Sequence, residues 1–138
     1  MADPPYTLRP IGFVRSVLRD RTAAPKQGFE GAPDAWLELA AEFEQGLAGL
    51  SAGDQLVIIT WFHEARRDVL KLHPRGDPSL PISGVFTTRS PDRPNPLGLH
   101  RVTILELAGA KLRVRPLEAI DGTPVVDLKF VLIESSDC

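Results

Sequence analysis

Sixteen residues near the middle of the chain, GVFTTRSPDRPNPLGL over 84–99, combine three prolines, two glycines, two arginines and one asparagine. Proline fixes φ and glycine opens backbone angles closed to other residues, so the stretch follows one path and displays Arg89, Arg93 and Asn95 with little freedom left. Guanidinium forks and an amide on a stiff bracket suit a carboxylate, a phosphate or a base edge, because the ordering entropy has been met during folding. The competing reading is a structural turn whose arginines pair with Asp92 or with distant acids. Upstream, Phe62 and His63 close an apolar run. His63 at a strand-to-loop junction suits a general base and equally an ordinary histidine hydrogen-bonded to backbone. Phe62 suits a cation or a stacked base, and equally the end of a core. Asp127 sits in an otherwise apolar strand; a buried carboxylate there needs a partner, with Arg89 and Lys129 as candidates. Asp121-Gly122 is a turn signal in its own right. His63-Glu64 followed by His73 matches no compact metal-ligand spacing, so no metal site is expected. Arg66, Arg67, Lys71 and Arg75 fit either phosphate guidance or a solvated loop.

The elements that must position these groups are short. Gly and Pro number 11 and 13 among 138 residues, above the usual combined share of about 12%. Apolar runs at Ile11–Val14, Trp36–Leu39, Leu56–Phe62, Gly84–Phe86, Val102–Leu107, Leu112–Val114 and Val125–Leu128 are rich in β-branched and aromatic residues and read as strands. Leu56–Phe62 is apolar almost throughout, which predicts a central strand covered on both faces. Lys111–Arg115 alternates, turning Leu112 and Val114 inward and three cations outward. Ala108-Gly109-Ala110 before it predicts a hairpin. The one helical stretch runs from Asp34 or Ala35 to about Leu50, although Trp36–Leu39 also fits a strand. The pattern favours an all-β barrel or a closed sheet. Two loops, Thr22–Asp34 and Arg66–Ser83, are long enough to expect a functional part in them.

One domain over residues 1–138 is expected, and a chain of this length can bury about 68% of its unfolded surface without disulfides or structural metal. A single cysteine, Cys138, has no partner for a disulfide, which fits a reducing cytoplasm. The opening MADPPYTLRP has neither a basic nor an apolar signal region, and no run of about 18 apolar residues exists, so neither a signal peptide nor a membrane span is expected. A net charge of −2 excludes a uniformly basic nucleic-acid binder. The charge is nonetheless segregated: residues 1–26 hold five basic and two acidic groups, residues 27–65 seven acids and no Lys or Arg, residues 66–115 ten basic and four acidic groups, and residues 116–138 one basic and five acidic. Folded together, the positive segments make an anion-binding face; the plainer reading is a solvated mixed surface.

These pieces resemble one family. Ile11–Ser16, Pro25-Lys26-Gln27, Trp61-Phe62-His63, the 84–99 segment and Asp121–Lys129 match, in order and spacing, the YaeB/TrmO-like family of S-adenosylmethionine-dependent tRNA threonylcarbamoyladenosine methyltransferases. The chain departs from that family at Lys26, where Arg is frequent, at Gly53-Asp54-Gln55, where a Ser-His pair is usual, and in lacking the C-terminal domain of longer bacterial members. The resemblance implies an all-β fold, a single-sheet β-barrel with short helical segments, and a homodimer with the cofactor pocket at or near the subunit interface. It implies methylation of the exocyclic amino nitrogen of threonylcarbamoyladenosine in tRNA, with S-adenosyl-L-methionine as donor. Carried over position by position, the cofactor is expected against Pro25, Lys26, Gln27, Phe62, His63, Arg89, Leu99 through its backbone, Asp121, Gly122, Thr123 and Pro124. Arg75, Arg93 and Asn95 are expected toward the substrate. An acyl-urea-like nitrogen is a weak nucleophile, so a nearby base would help, and His63, Asp121 and Asp127 are the candidates. Two alternatives stand beside this expectation: a non-catalytic barrel binding RNA or a nucleotide, and a methyltransferase with another small acceptor.

Overall fold

In the computed structural model, which describes residues 5–20 and 31–132, six antiparallel strands close into a barrel. They are β1 (Gly12–Arg15), β2 (Ala35–Leu39), β3 (Gln55–Trp61), β6 (Leu97–Ala108), β7 (Lys111–Arg115) and β8 (Pro124–Phe130), in the spatial order β1-β2-β7-β6-β3-β8. Two short strands, β4 (Lys71–Leu72) and β5 (Ser83–Gly84), pair with each other outside it. Closure leaves no barrel edge to aggregate, which suits a sheet built from such short strands.

Alternation fills the interior. Val14, Leu37, Ile58, Ile104, Leu112, Val114 and Val125 are wholly or almost wholly buried, each contributing about 1.5–3 kcal/mol of apolar transfer. On β7 the alternation places Leu112 and Val114 inside and turns Lys111, Arg113 and Arg115 to the outer face, and Gly109 at φ 63° makes the β6–β7 turn. β1 and β2 lie so close at Gly12 that a Cβ there would collide with the Glu38 backbone and sit 2.8 Å from Leu39 Cα.

Three sequence expectations change. Residues 35–39 form a strand, because Ala35, Leu37 and Leu39 are buried with period two, and the helical part shrinks to a 3-10 segment at Ala41–Leu47. Gly84–Phe86 is not one strand; β5 ends at Gly84 and Val85–Thr87 turns as 3-10 helix. β3 is not sheathed on both faces. Leu56, Ile58 and Thr60 fill the barrel while Val57, Ile59 and Trp61 stay half-exposed on its outside. Its long ladders to β6 and β8 make it a barrel stave rather than the centre of an open sheet. Among the described residues, no helix is long and apolar enough to cross a membrane.

Candidate active site at one end of the barrel

At the ends of β3 and β6 the chain passes into the bracket and into the loop 62–83, and the two are stitched together through backbone. Phe62 N–H donates to the Pro96 carbonyl at 2.8 Å, Arg93 N–H to the Arg66 carbonyl at 3.0 Å, and Val85 N–H to the Leu70 carbonyl at 2.8 Å. Side chains complete the seam. Arg67 donates through Nε to the Pro94 carbonyl at 2.7 Å and through Nη2 to Asn95 Oδ1 at 3.1 Å, with its guanidinium 5.1 Å from the centre of the Trp61 ring. Asp92 Oδ1 accepts from Arg66 N–H at 2.9 Å. Beside it, the exposed Arg66–Asp68 pair holds the Asp68 carboxyl below its usual range, chiefly through the hydrogen bond from Arg66.

The two bracket arginines do different work. Arg93 turns into its own loop, donating from Nη1 to the carbonyls of Thr88 and Ser90, both at 3.0 Å, and from Nη2 to that of Val85 at 3.4 Å. Three carbonyls on one fork fix the bracket's shape. Arg89, by contrast, is exposed and makes no hydrogen bond or ion pair with any described residue. Asn95 keeps its oxygen on Arg67.

Between bracket and barrel lies a cavity of about 520 Å³, within the range of about 300–1,000 Å³ that holds a cofactor-sized ligand. Its walls include Phe62, His63 and Glu64 from the end of β3, Arg75 from the turn Pro74–Gly76, Thr87 to Asp92 from the bracket, and Glu118, Ala119, Ile120 and Thr123 from the segment joining β7 to β8. Arg75 sits in the left-handed region at φ 56°, ψ 19°, a conformation that costs a non-glycine residue about 1–2 kcal/mol. Phe62 is wedged where Gly98 has no side chain; a Cβ on Gly98 would enter the Phe62 ring and stand 2.6 Å from Thr60 Oγ1. Phe62 and His100 meet in a T-shaped arrangement, with centroids 5.7 Å apart at 81°.

Behind this wall is a polar chain inside the barrel. His100, 2% exposed, meets Thr60 Oγ1 through Nε2 at 2.7 Å and Glu118 Oε1 through Nδ1 at 2.5 Å. An ionised carboxylate can only accept, so Nδ1 carries the proton toward Glu118. Burial makes such a chain tolerable only when every member is paired, and no buried side-chain polar atom lacks a partner among the described residues.

The cavity thus brings together five of the expected residues: Phe62, His63, Arg75, Arg89 and Thr123. His63 is exposed there and bonded to no described residue, so the backbone-bonded reading does not hold for it. Leu99 lies on the outer face of β6, opposite Ile59. Asp121 accepts from Ser16 N–H at 3.0 Å and Arg19 Nη1 at 3.1 Å, bracing the turn at Gly122 (φ 85°) beside the cavity floor, next to Pro124 at the start of β8. Asp127 is exposed on the outer face, and its Oδ1 accepts from the N–H of Leu128. A bulge between Ile59 and Thr60 on the β3–β8 ladder turns it outward, so it needs neither Arg89 nor Lys129 as a partner. Pro25, Lys26 and Gln27 lie outside the described residues. Among those residues no group of three His, Cys, Asp or Glu is placed to hold a metal ion. Sequence reasoning passed over Glu118 and His100. The signals were present: a lone carboxylate between the buried Leu117 and Ala119, and a histidine in phase with Val102 and Ile104 on the inward face of β6.

Comparison with known proteins points to one family. Residues 13–138 match the family model for the tRNA-methyltransferase O N-terminal domain. The chain is 41% identical over 129 residues to a probable S-adenosyl-L-methionine-binding protein of Methanothermobacter thermautotrophicus, covering 94% of this chain and 92% of that one. It is 40% identical over 122 residues to an S-adenosyl-L-methionine-binding protein of Archaeoglobus fulgidus, covering 88% and 86%. A solved structure of TrmO superposes with a TM-score of 0.75 at 28% identity, and that of TrmO from Pseudomonas aeruginosa with 0.73 at 27%. The match covers 94% and 97% of this chain but 58% and 62% of those two, so the chain spans about three fifths of their length.

Proposed function

The chain belongs to the tRNA-methyltransferase O N-terminal domain family, and we propose that it is an S-adenosyl-L-methionine-dependent methyltransferase acting on the exocyclic amino nitrogen of threonylcarbamoyladenosine in tRNA. One observation carries the reading: a guanidinium with no partner among the described residues, Arg89, faces a cofactor-sized cavity walled by Phe62, His63 and Thr123.

The residues present fit such a donor. Arg89 offers a fork for a carboxylate. Phe62, fixed by the absence of a side chain at Gly98, offers a π-face to a sulfonium or an edge to adenine, worth about 1 kcal/mol. When bound, the cofactor supplies an electrophilic methyl group on a positively charged sulfur. The protein's tasks are then to align the acceptor nitrogen for in-line attack, to exclude water and to receive a proton. Arg75 and the neighbouring Lys71 add positive charge at that end of the barrel for a tRNA backbone, and the reading places the protein with tRNA in the cytoplasm.

The same reading includes a homodimer. Trp61, Ile59, Leu97 and Leu99 form an apolar stripe on the outer face of β3 and β6, with Leu97 40% and Leu99 49% exposed, and a second copy seated there would bring Leu99 toward a cofactor pocket. Light scattering on the purified protein should give twice the monomer mass; a monomer at micromolar concentration would remove this part.

Incubating the protein with methyl-labelled cofactor and tRNA bearing threonylcarbamoyladenosine, then digesting to nucleosides for mass spectrometry, tests the function. Label is expected on that nucleoside. Cofactor binding with label only on another acceptor would change the substrate, and RNA binding without transfer would leave a binding module.

A further inference from the structure

We propose that Glu118 is the proton acceptor of the methyl transfer and that His100 positions it from inside the barrel, an inference that rests on the methyltransferase reading above. The candidate bases taken from sequence fare differently once placed. Asp127 is outside the barrel and Asp121 is engaged by Ser16 and Arg19. His63 reaches the cavity but nothing orients its ring among the described residues. Glu118 is anchored to a buried group: its side chain is 11% exposed, it lines the cavity, and one oxygen is held by a histidine that is itself held by Thr60.

That arrangement has a base, an orienting imidazole and a hydroxyl that fixes the imidazole, the order of parts that keeps a proton acceptor in one rotamer. With Oε1 occupied by His100, Oε2 is the oxygen left for the cavity. The other titratable or charged groups around the same space are His63, Glu64, Arg75, Arg89 and Asp92. In the transfer, the acceptor nitrogen's lone pair forms the new N–C bond and the electron pair of the breaking C–S bond stays on sulfur. The N–H proton passes to Oε2 of Glu118. The products are the methylated neutral nitrogen, a thioether and a protonated carboxyl that returns its proton to water.

Four proteins test this: wild type, Glu118→Gln, Glu118→Asp and the double variant Glu118→Gln/His100→Gln. Calorimetric titration with S-adenosyl-L-methionine alone should give dissociation constants within threefold for wild type and Glu118→Gln, since the carboxylate faces the acceptor. Single-turnover transfer to tRNA should fall about 100-fold or more in Glu118→Gln with KM for tRNA within threefold, and Glu118→Asp should recover part of the rate. Adding His100→Gln should cost little further, because the imidazole acts only through the carboxylate. Transfer by Glu118→Gln within threefold of wild type overturns the proposal and leaves the methyltransferase reading intact. Cofactor binding weakened more than tenfold in that variant assigns Glu118 to the donor and overturns it as well. No transfer by wild type to any tRNA overturns the underlying reading, and the proposal with it.

Discussion

Two cationic regions of this barrel look alike in sequence and behave differently in space. On the outer face of β7, Lys111, Arg113 and Arg115 all find acids. Arg115 Nε and Arg113 Nη1 reach the two oxygens of Asp34 at 2.5 and 3.1 Å, Arg113 Nε also reaches Glu106 at 3.0 Å, and Lys111 approaches Glu38 at 3.8 Å. At the barrel's end, Arg67 and Arg93 bind backbone carbonyls and the Asn95 amide, while Arg89 lies over the cavity with no partner among the described residues. Cations on rigid strands beside acidic strands neutralise themselves. Cations in a proline-stiffened loop divide into those that build the loop and one that the loop displays. The three cations of β7 therefore add little to an anion-binding face, since acids beside them meet their charge locally.

This contrast can be broken at several points, in decreasing size of effect. Gly98→Ala should be the most damaging, because its Cβ has no room beside Phe62 and Thr60; overpacking there should cost about 1–3 kcal/mol in chemical denaturation and weaken cofactor binding as Phe62 moves. Arg93→Ala should follow, losing about 1–2 kcal/mol and much of the cofactor affinity together, since the carbonyls of Val85, Thr88 and Ser90 lose their donor. Arg89→Ala should separate the two quantities. Cofactor affinity should fall about tenfold or more, equivalent to about 1.4 kcal/mol, with no change in melting temperature. Arg115→Ala should be the mildest: only a slight loss of stability by the same denaturation assay, as for other exposed ion pairs, and no change in cofactor affinity.

The β7 face also predicts a pH signature. The Asp34 carboxyl is held below its ordinary 3.8, first by the hydrogen bond from Arg115, against a desolvation cost, and then by the charges of Arg115 and Arg113. A carboxyl lowered by folding contributes stability that is fully present above its unfolded value and is lost as pH falls through its folded one. The stability gap between wild type and Asp34→Asn should therefore stay constant from neutral pH down to about pH 4 and close in stronger acid. Thermal melts across that range measure it.

Much of the barrel was legible because period-two alternation is a local signal. Lys111–Arg115 declares its faces in five residues, and six of the seven expected strands are present with ends shifted by one to a few positions. The bracket was legible because prolines and glycines constrain backbone directly. The errors arise where local and tertiary signals part. Ala35–Leu47 carries both helical and strand patterns, and pairing of β2 with β1 and β7 decides for the strand in its first half. Asp127 was expected inside because its neighbours are apolar, but the bulge beside it reverses the side on which it falls. Which bracket arginine faces the cavity was not readable from the bracket's composition and came only through the family resemblance, since the choice between Arg89 and Arg93 is made by where three carbonyls point.

The most direct test of a donor pocket built around Arg89 is a calorimetric titration of S-adenosyl-L-methionine into wild type and Arg89→Ala, each folded and free of copurified ligand. Saturable heat with wild type, and binding at least tenfold weaker with the variant at an unchanged melting temperature, is the predicted result. Equal affinity in the two proteins, or no heat with wild type, would contradict it.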